Sequence, residues 1–267
     1  DTSQKHLWSI KMKELIENRT KGAVVVEHYP AGQLYKDKEG LLAVSKGELF
    51  ATNTSSGELA TWEGKLNILD LYGLFTGQEH MAKFYASDLA KKELLAPLEK
   101  RGIKAAFQLT DNLCIFTKKP IKSVADMKGL KTRVIPSKGQ LAGTRALGME
   151  PIPLDVAELY TALQQGTVDA AITMELSILG RSLQEVVKYC LDDPILGVLG
   201  QVTEMSIAQL EKLPPDIRST VEQANLEAIK WSEQTYFGNY EKVIRKPLLD
   251  AAMTFTKLSA EEKAKFY

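Results

Sequence analysis

The chain has 267 residues, with 34 Lys plus Arg against 34 Asp plus Glu, a formal charge of zero. That balance argues against a nucleic-acid binder with a basic stripe and against a polybasic membrane-surface protein. Hydrophobic residues make up 44% and charged residues 25%, and no run approaches the ~18 apolar residues of a membrane span, so the chain reads as one or two globular domains.

The first element is amphipathic, with Leu7, Ile10, Leu15 and Ile16 near one face and Lys11, Lys13 and Glu17 opposite. Ala23–Tyr29 is rich in β-branched residues and predicts a strand, followed by a turn at Pro30–Gly32. A helix is expected from about Lys36 to Lys46, stopped by Gly47, and a short strand over Leu49–Asn53. Helix and strand alternating with short connections is the α/β pattern.

The same grammar returns further on. Ser123–Asp126 resembles a capping box, and Lys131–Ile135 reads as a strand. A helix from about Lys138 to Leu147 closes at Gly148, and Pro151–Leu154 must be extended. Asp155–Glu158 opens a helix that Gly166 ends, and Val168–Thr173 is the next strand. The order β-α-β-α-β is a doubly wound unit. Ala43–Ala51 and Ala162–Ala170 share a helix-end, Gly, strand pattern, which suggests two related halves or simply two similar junctions. From Leu213-Pro-Pro-Asp216, apolar spacing holds a helix almost to Pro247, about 45 Å of it, with Pro247 expected to kink or break it.

Arg133 is the most informative residue. It sits mid-strand between helical crossovers, where strands are buried on both faces. A buried guanidinium needs a partner, and its planar fork suits a carboxylate, either internal or brought by a ligand. Ser137 and Gly139 follow that strand, where helix N-termini offer free N–H groups, although Ser137 also fits an ordinary cap. Asn53, Ser55 and Thr173 end the two similar strands and are candidate ligand contacts, with turn chemistry the alternative for Asn53. Glu175 is a candidate acid without a second carboxylate, and His6 has no evident partner. There is no P-loop, GxGxxG or GxSxG pattern, so an enzyme is not expected. Cys114 and Cys190 form no CxxC pattern and the three histidines have no metal-ligand spacing, so neither metal nor cofactor is expected. Two buried thiols are the simpler expectation for the cysteines, with a disulfide the alternative in an oxidising compartment.

The run Ser123-Val-Ala-Asp-Met-Lys-Gly-Leu-Lys-Thr-Arg-Val134 resembles the solute-binding proteins of TRAP (tripartite ATP-independent periplasmic) transporters. Ala146-Leu-Gly148, Pro151-Ile-Pro153, Glu158-Leu-Tyr-Thr-Ala-Leu-Gln-Gln-Gly-Thr-Val-Asp169, Tyr29-Pro-Ala-Gly-Gln-Leu34 and Leu213-Pro-Pro-Asp216 continue the likeness in order. The resemblance implies an α/β, two-lobed periplasmic binding protein of type II-like fold, each lobe a sheet flanked by helices, with a long helix bracing both. Lobe I is expected over 1–117 with about 200–235, lobe II over 118–199 with about 236–267, and the ligand cleft between them.

The family arginine that pairs with a ligand carboxylate falls on Arg133. A second basic position falls on Lys119, the family's frequent Asn on Thr173, and an aromatic that often covers the ligand on Val156. Asn112 completes the set of expected ligand contacts. Leu71-Tyr-Gly replaces the usual L-P-F stretch, Ala171-Ile-Thr173 the usual Q-E-N or G-Q-E segment, and no Glu-Trp pair suggests a metal-assisted subtype. These departures suggest a pocket less charged and roomier than a sialic-acid site.

The implied function is capture of a small organic acid and its delivery to ion-driven membrane subunits, by a monomer in the periplasm. Because the chain begins at Asp1, a removed signal peptide is expected, and the family's first strand would precede that residue. The alternatives are a binding protein of an ABC importer and the ligand-sensing domain of a regulator.

Overall fold

The computed structural model describes residues 3–30 and 32–265, with every side chain except that of Pro194. Ala31, in the expected Pro30–Gly32 turn and in the family motif there, lies outside the described residues. Nine strands occur among those described. They are β1 (Ala51–Ser55), β2 (Ile103–Gln108), β3 (Cys114–Thr117), β4 (Lys131–Val134), β5 (Glu150–Pro153), β6 (Ala170–Thr173), β7 (Tyr189–Leu191), β8 (Gln201–Ser206) and β9 (Thr254–Thr256). The chain packs as two compact units, one of residues 1–65, 84–110 and 200–240, the other of residues 66–83, 111–199 and 241–267.

The first unit holds a three-stranded antiparallel sheet in the order β1-β8-β2. Helices Gln4–Arg19 and Pro215–Tyr240 cover one face of it. The buried stripe of the first helix is Gln4, Trp8, Met12 and Ile16, at strict i, i+4 spacing. It differs from the face expected from sequence, for Ile10 is exposed. The Trp8 indole decides the rotation, because its Nε1 donates to Asn225 Oδ1 at 2.9 Å inside the helix pair, where an unbonded N–H would cost about 1–3 kcal/mol.

Ala23 and Val24 form a bend, and Val25–Tyr29 has no regular secondary structure and pairs with no strand among those described, which corrects the strand expected over Ala23–Tyr29. Side chains of the first helix replace a ladder. Val26 N–H donates to Glu17 Oε1 at 3.0 Å, Lys13 Nζ donates to the Val26 carbonyl at 2.5 Å, and Val24 N–H donates to Thr20 Oγ1 at 3.2 Å. His6, expected to stand alone, lies 5.2 Å ring to ring from His28.

The second unit is built on a six-stranded mixed sheet, order β5-β4-β6-β3-β7-β9. β5, β4 and β6 are mutually parallel and carry the expected β-α-β-α-β winding through helices Lys138–Ala146 and Leu159–Gln165. β3 runs antiparallel between β6 and β7. Leu113, Ile115, Met127, Val134, Ile172 and Leu191 form the centre of its core.

Gly47 and Gly166 both end their helices in the left-handed conformation with the same cap bonding. The local junction is therefore repeated, but β1 is an antiparallel edge strand and β6 lies inside a mixed sheet. The Pro215–Tyr240 helix runs on through a π turn, Glu241–Arg245, into Lys246–Asp250. The wide turn brings Pro247 into the first turn of the last segment, where a missing N–H is tolerated, so the helical run continues through it. Pro97 follows a π turn at Lys91–Leu95 in the same way.

Two expectations for stability follow. A Cβ on Gly166 (φ +75) would meet nothing within 4 Å, whereas on Gly102 (φ +76) it would sit 2.8 Å from the Ser45 carbonyl oxygen. Gly166→Ala should cost about 1 kcal/mol for the left-handed backbone alone, and Gly102→Ala distinctly more. Urea unfolding of the two variants compares them, and equal losses would contradict the crowding at Gly102.

Glu204 is fully buried in β8, where its Oε1 accepts from Thr54 Oγ1 at 2.7 Å. Desolvation holds its carboxyl well above the usual range. An acid whose folded pKa is raised lends stability below its unfolded pKa and loses it as pH rises toward the folded one. Glu204→Gln should therefore gain stability over the parent between about pH 5 and pH 8. A pH-independent difference in urea midpoints over that range would count against a neutral Glu204.

Candidate functional site

The register of the second unit's sheet brings one set of chain ends to a single edge. β4, β5 and β6 are parallel, so Val134, Pro153 and Thr173 end there together. β3 is antiparallel, with Cys114 opposite Thr173, so the residues before β3 reach the same edge. Open α/β sheets bind ligands beyond the carboxyl ends of their parallel strands.

Arg133 lies one residue from the end of β4, opposite Ile152 of β5 and Ala171 of β6, and is 3% exposed. Its Nε donates to the Leu154 carbonyl at 2.9 Å. Among the described residues no carboxylate forms an ion pair with it. Burial lowers the guanidinium pKa to about 10, with Asp155 opposing that shift and Arg181 adding to it. The carbonyl bond fixes one side of the planar group, and its terminal nitrogens are the donors that suit a carboxylate.

Tyr72 and Leu154 are the parts of this surrounding that sequence reasoning missed. The Tyr72 ring lies against the Lys138–Ala146 helix, where a Cβ on Gly143 would come within 2.4 Å of it. Its hydroxyl is 3.1 Å from Thr144 Oγ1, and burial raises its pKa far above the usual phenol value. Gly143 inside a helix was the signal available for a ring seated there.

The other candidates divide by position. Thr173 is buried at the end of β6, with no side-chain hydrogen bond among the described residues. Asn112 bridges to Val198 just before β3, and its buried Oδ1 has no hydrogen-bond partner among the described residues. Val156 is half-buried in the single turn Val156–Glu158 beyond β5. These three share the edge with Arg133. Ser137 is at the start of the Lys138–Ala146 helix, but its Oγ makes no cap bond and donates to Asp70 Oδ2 at 2.8 Å. Gln140, fully buried in the same helix, accepts from Ile135 N–H at 3.3 Å.

Lys119 is exposed and follows the other end of β3, where Thr117 faces Ala170, so the register sets it at the opposite edge from Thr173. Asn53 and Ser55 belong to the first unit. Asn53 is mid-strand rather than in a turn, opposite Thr203. Its Nδ2 donates to Gln108 Oε1 at 2.6 Å and its Oδ1 accepts from Gln201, while Gln108 Nε2 reaches Ser232. Ser55 caps the short helix Ser56–Leu59, accepting from Glu58 N–H at 3.4 Å. Glu175, the candidate acid, is ion-paired to Arg245 at 2.6 Å.

Comparison with known proteins agrees with this architecture. The family model described as DctP, bacterial extracellular solute-binding protein, family 7, matches residues 1–267. The C4-dicarboxylate-binding periplasmic protein DctP of Rhodobacter capsulatus is 33% identical over 259 residues, which cover 95% of this chain and 76% of that protein. The 2,3-diketo-L-gulonate-binding periplasmic protein YiaO of Escherichia coli K12 is 26% identical, over 91% of this chain and 74% of its own length.

Among solved structures, a TRAP periplasmic solute binding protein from Shewanella oneidensis with bound succinate superposes with a TM-score of 0.92 at 24% identity, covering 99% of this chain and 87% of that one. One from Desulfovibrio salexigens with bound orotic acid gives 0.88 at 25% identity, covering 99% and 85%. With the family model matched end to end over a two-sheet α/β fold of this kind, the chain belongs to family 7 of the bacterial extracellular solute-binding proteins, the solute-binding components of TRAP transporters.

Proposed function

We propose that this protein captures a small organic acid outside the cytoplasm, with the acid's carboxylate docking on Arg133, and passes it to the membrane subunits of an ion-driven TRAP transporter. The observation that carries the reading is a mid-strand, buried arginine whose bond within the fold is to a carbonyl. Leaving a buried guanidinium without an anion costs several kcal/mol, and a bidentate carboxylate relieves that cost. The relatives' ligands fit the same chemistry, since a C4-dicarboxylate, 2,3-diketo-L-gulonate, succinate and orotic acid all carry a carboxylate. No helix among the described residues is long and apolar enough to cross a membrane, in keeping with a binding component that works beside separate membrane subunits.

Thr173, Asn112 and Val156 are read as neighbours of the bound acid, because they share the sheet edge with Arg133. Asn112 Oδ1 suits a ligand hydroxyl or protonated group. Ser137 serves the same edge through Asp70 rather than by direct contact. The two compact units are read as the two lobes of the binding protein, and a ligand favours whichever arrangement of them it binds better. Export from a precursor with a removable signal peptide belongs to the same reading.

Thermal-shift titration with succinate, galacturonate and orotate should find at least one acid that stabilises the parent protein. Arg133→Ala should weaken that acid by about 10²–10³-fold, as expected for loss of one member of a buried charged pair. Arg133→Lys keeps the charge without the fork and should fall between the two. An undiminished shift in Arg133→Ala, at unchanged folding, would remove Arg133 from the site.

A further inference from the structure

Cys114 and Cys190, distant in sequence and without metal-ligand spacing, meet in the second unit. One ligand atom from each of Cys114, Glu175 and Cys190 lies within 4.8 Å of the others, and all three residues are buried. Both thiols are free. Cys190 pairs directly with Phe116, and Cys114 is two residues before Phe116 on the same face. The cysteines are therefore diagonal neighbours on adjacent strands, where Cα atoms stand about 7–8 Å apart. A disulfide needs backbone movement beyond about 7 Å. A tetrahedral ion with metal–sulfur bonds of ~2.3 Å holds two sulfurs roughly 3.8 Å apart, a separation that fits inside the 4.8 Å spanned by the ligand atoms of this cluster.

The surrounding charges are arranged to match. Arg245, in the π turn, gives Nη2 to Glu175 Oε1 at 2.6 Å and both Nη atoms to Asp192 Oδ2 at 3.1 Å. Asp192 Oδ1 is 3.9 Å from Cys114 Sγ. One guanidinium thus positions two carboxylates beside two thiols, as outer groups orient metal ligands in known sites.

We propose that Cys114, Cys190 and Glu175 form a binding site for a divalent ion of borderline softness, zinc being the representative, with Asp192 as a further oxygen donor beside it and Arg245 as the positioning residue. Two thiol protons leave as the ion's two charges enter, so the buried net charge does not change and the Arg245 pairs need not break. Cysteine ligates as the thiolate, so the ion must displace the thiol protons and its affinity climbs with pH. Thiolates with carboxylate select zinc-like ions over magnesium or calcium. The site is separate from Arg133, with β6 lying between β3 and β4, and does not depend on the organic-acid reading.

Reduced, chelator-treated protein is titrated with Co²⁺ without oxygen, both natively and by refolding with the ion present. The expected result is one ion per chain, a thiolate-to-cobalt charge-transfer band with tetrahedral d–d bands, and displacement by Zn²⁺. About two protons should be released per ion. Cys114→Ser and Cys190→Ser should each change the band, the double variant should abolish it, and Glu175→Gln should weaken binding at least about tenfold. The proposal fails if the parent protein shows no thiolate–cobalt band at one equivalent in either titration, or if the band survives in the double variant. It fails equally if unreduced protein, once unfolded, titrates with fewer than two free thiols, since the pair is then a disulfide.

Discussion

The placement of one guanidinium organises the second unit. Arg133 is carried into the interior of the sheet by a strand that β5 and β6 flank in parallel on its two sides. The same register delivers the Leu154 carbonyl to Nε, because Leu154 follows the β5 residue opposite Val134. Desolvation is the larger influence on the group and Asp155 only partly offsets it. A charge held this way is a standing demand for an anion, and it faces the edge at which open α/β sheets receive ligands.

A second consequence of the register lies in β3. Because this strand is antiparallel to β6, it brings Asn112 to the edge at which β4 and β6 end and sets Cys114 opposite Thr173. Glu175 follows Thr173 by two residues and takes the charge of Arg245. The edge beside Arg133 and the thiol–carboxylate cluster are therefore built on adjoining strands, but each has its own arginine. Arg245 has carboxylate partners inside the fold, whereas the partner of Arg133 there is a carbonyl.

The first unit solves a different problem, the burial of polar side chains in a small antiparallel sheet. Gln201, Asn53, Gln108 and Ser232 satisfy one another in a chain across its strands. Such a network is worth keeping only when each member is paired, since an unpaired buried amide costs more than its bond returns. Asn53, read from sequence as a ligand contact or turn residue, belongs to that network, and Ser55 beside it is a helix cap.

Most elements were legible in the sequence because their signals are local. Gly47, Gly148 and Gly166 stop helices in the left-handed conformation, Pro151 and Pro153 enforce extension, and the 123–173 winding follows from those marks. Ala23–Tyr29 misled because β-branched composition describes a residue's fit to a sheet and says nothing of whether a partner strand is present. The buried face of the first helix misled because the Trp8–Asn225 bond outweighed the spacing of Leu7 and Ile10.

The sequence by itself determined the family, the alternation of elements and the buried position of Arg133, since punctuation and strand burial are written within a few residues. Only the tertiary structure decided that Arg133 meets a carbonyl while Arg245 meets two carboxylates, that Lys119 lies at the far edge, and that Cys114 and Cys190 converge. Those outcomes depend on strand order and register, which pair residues far apart in the chain and leave no local mark on either partner.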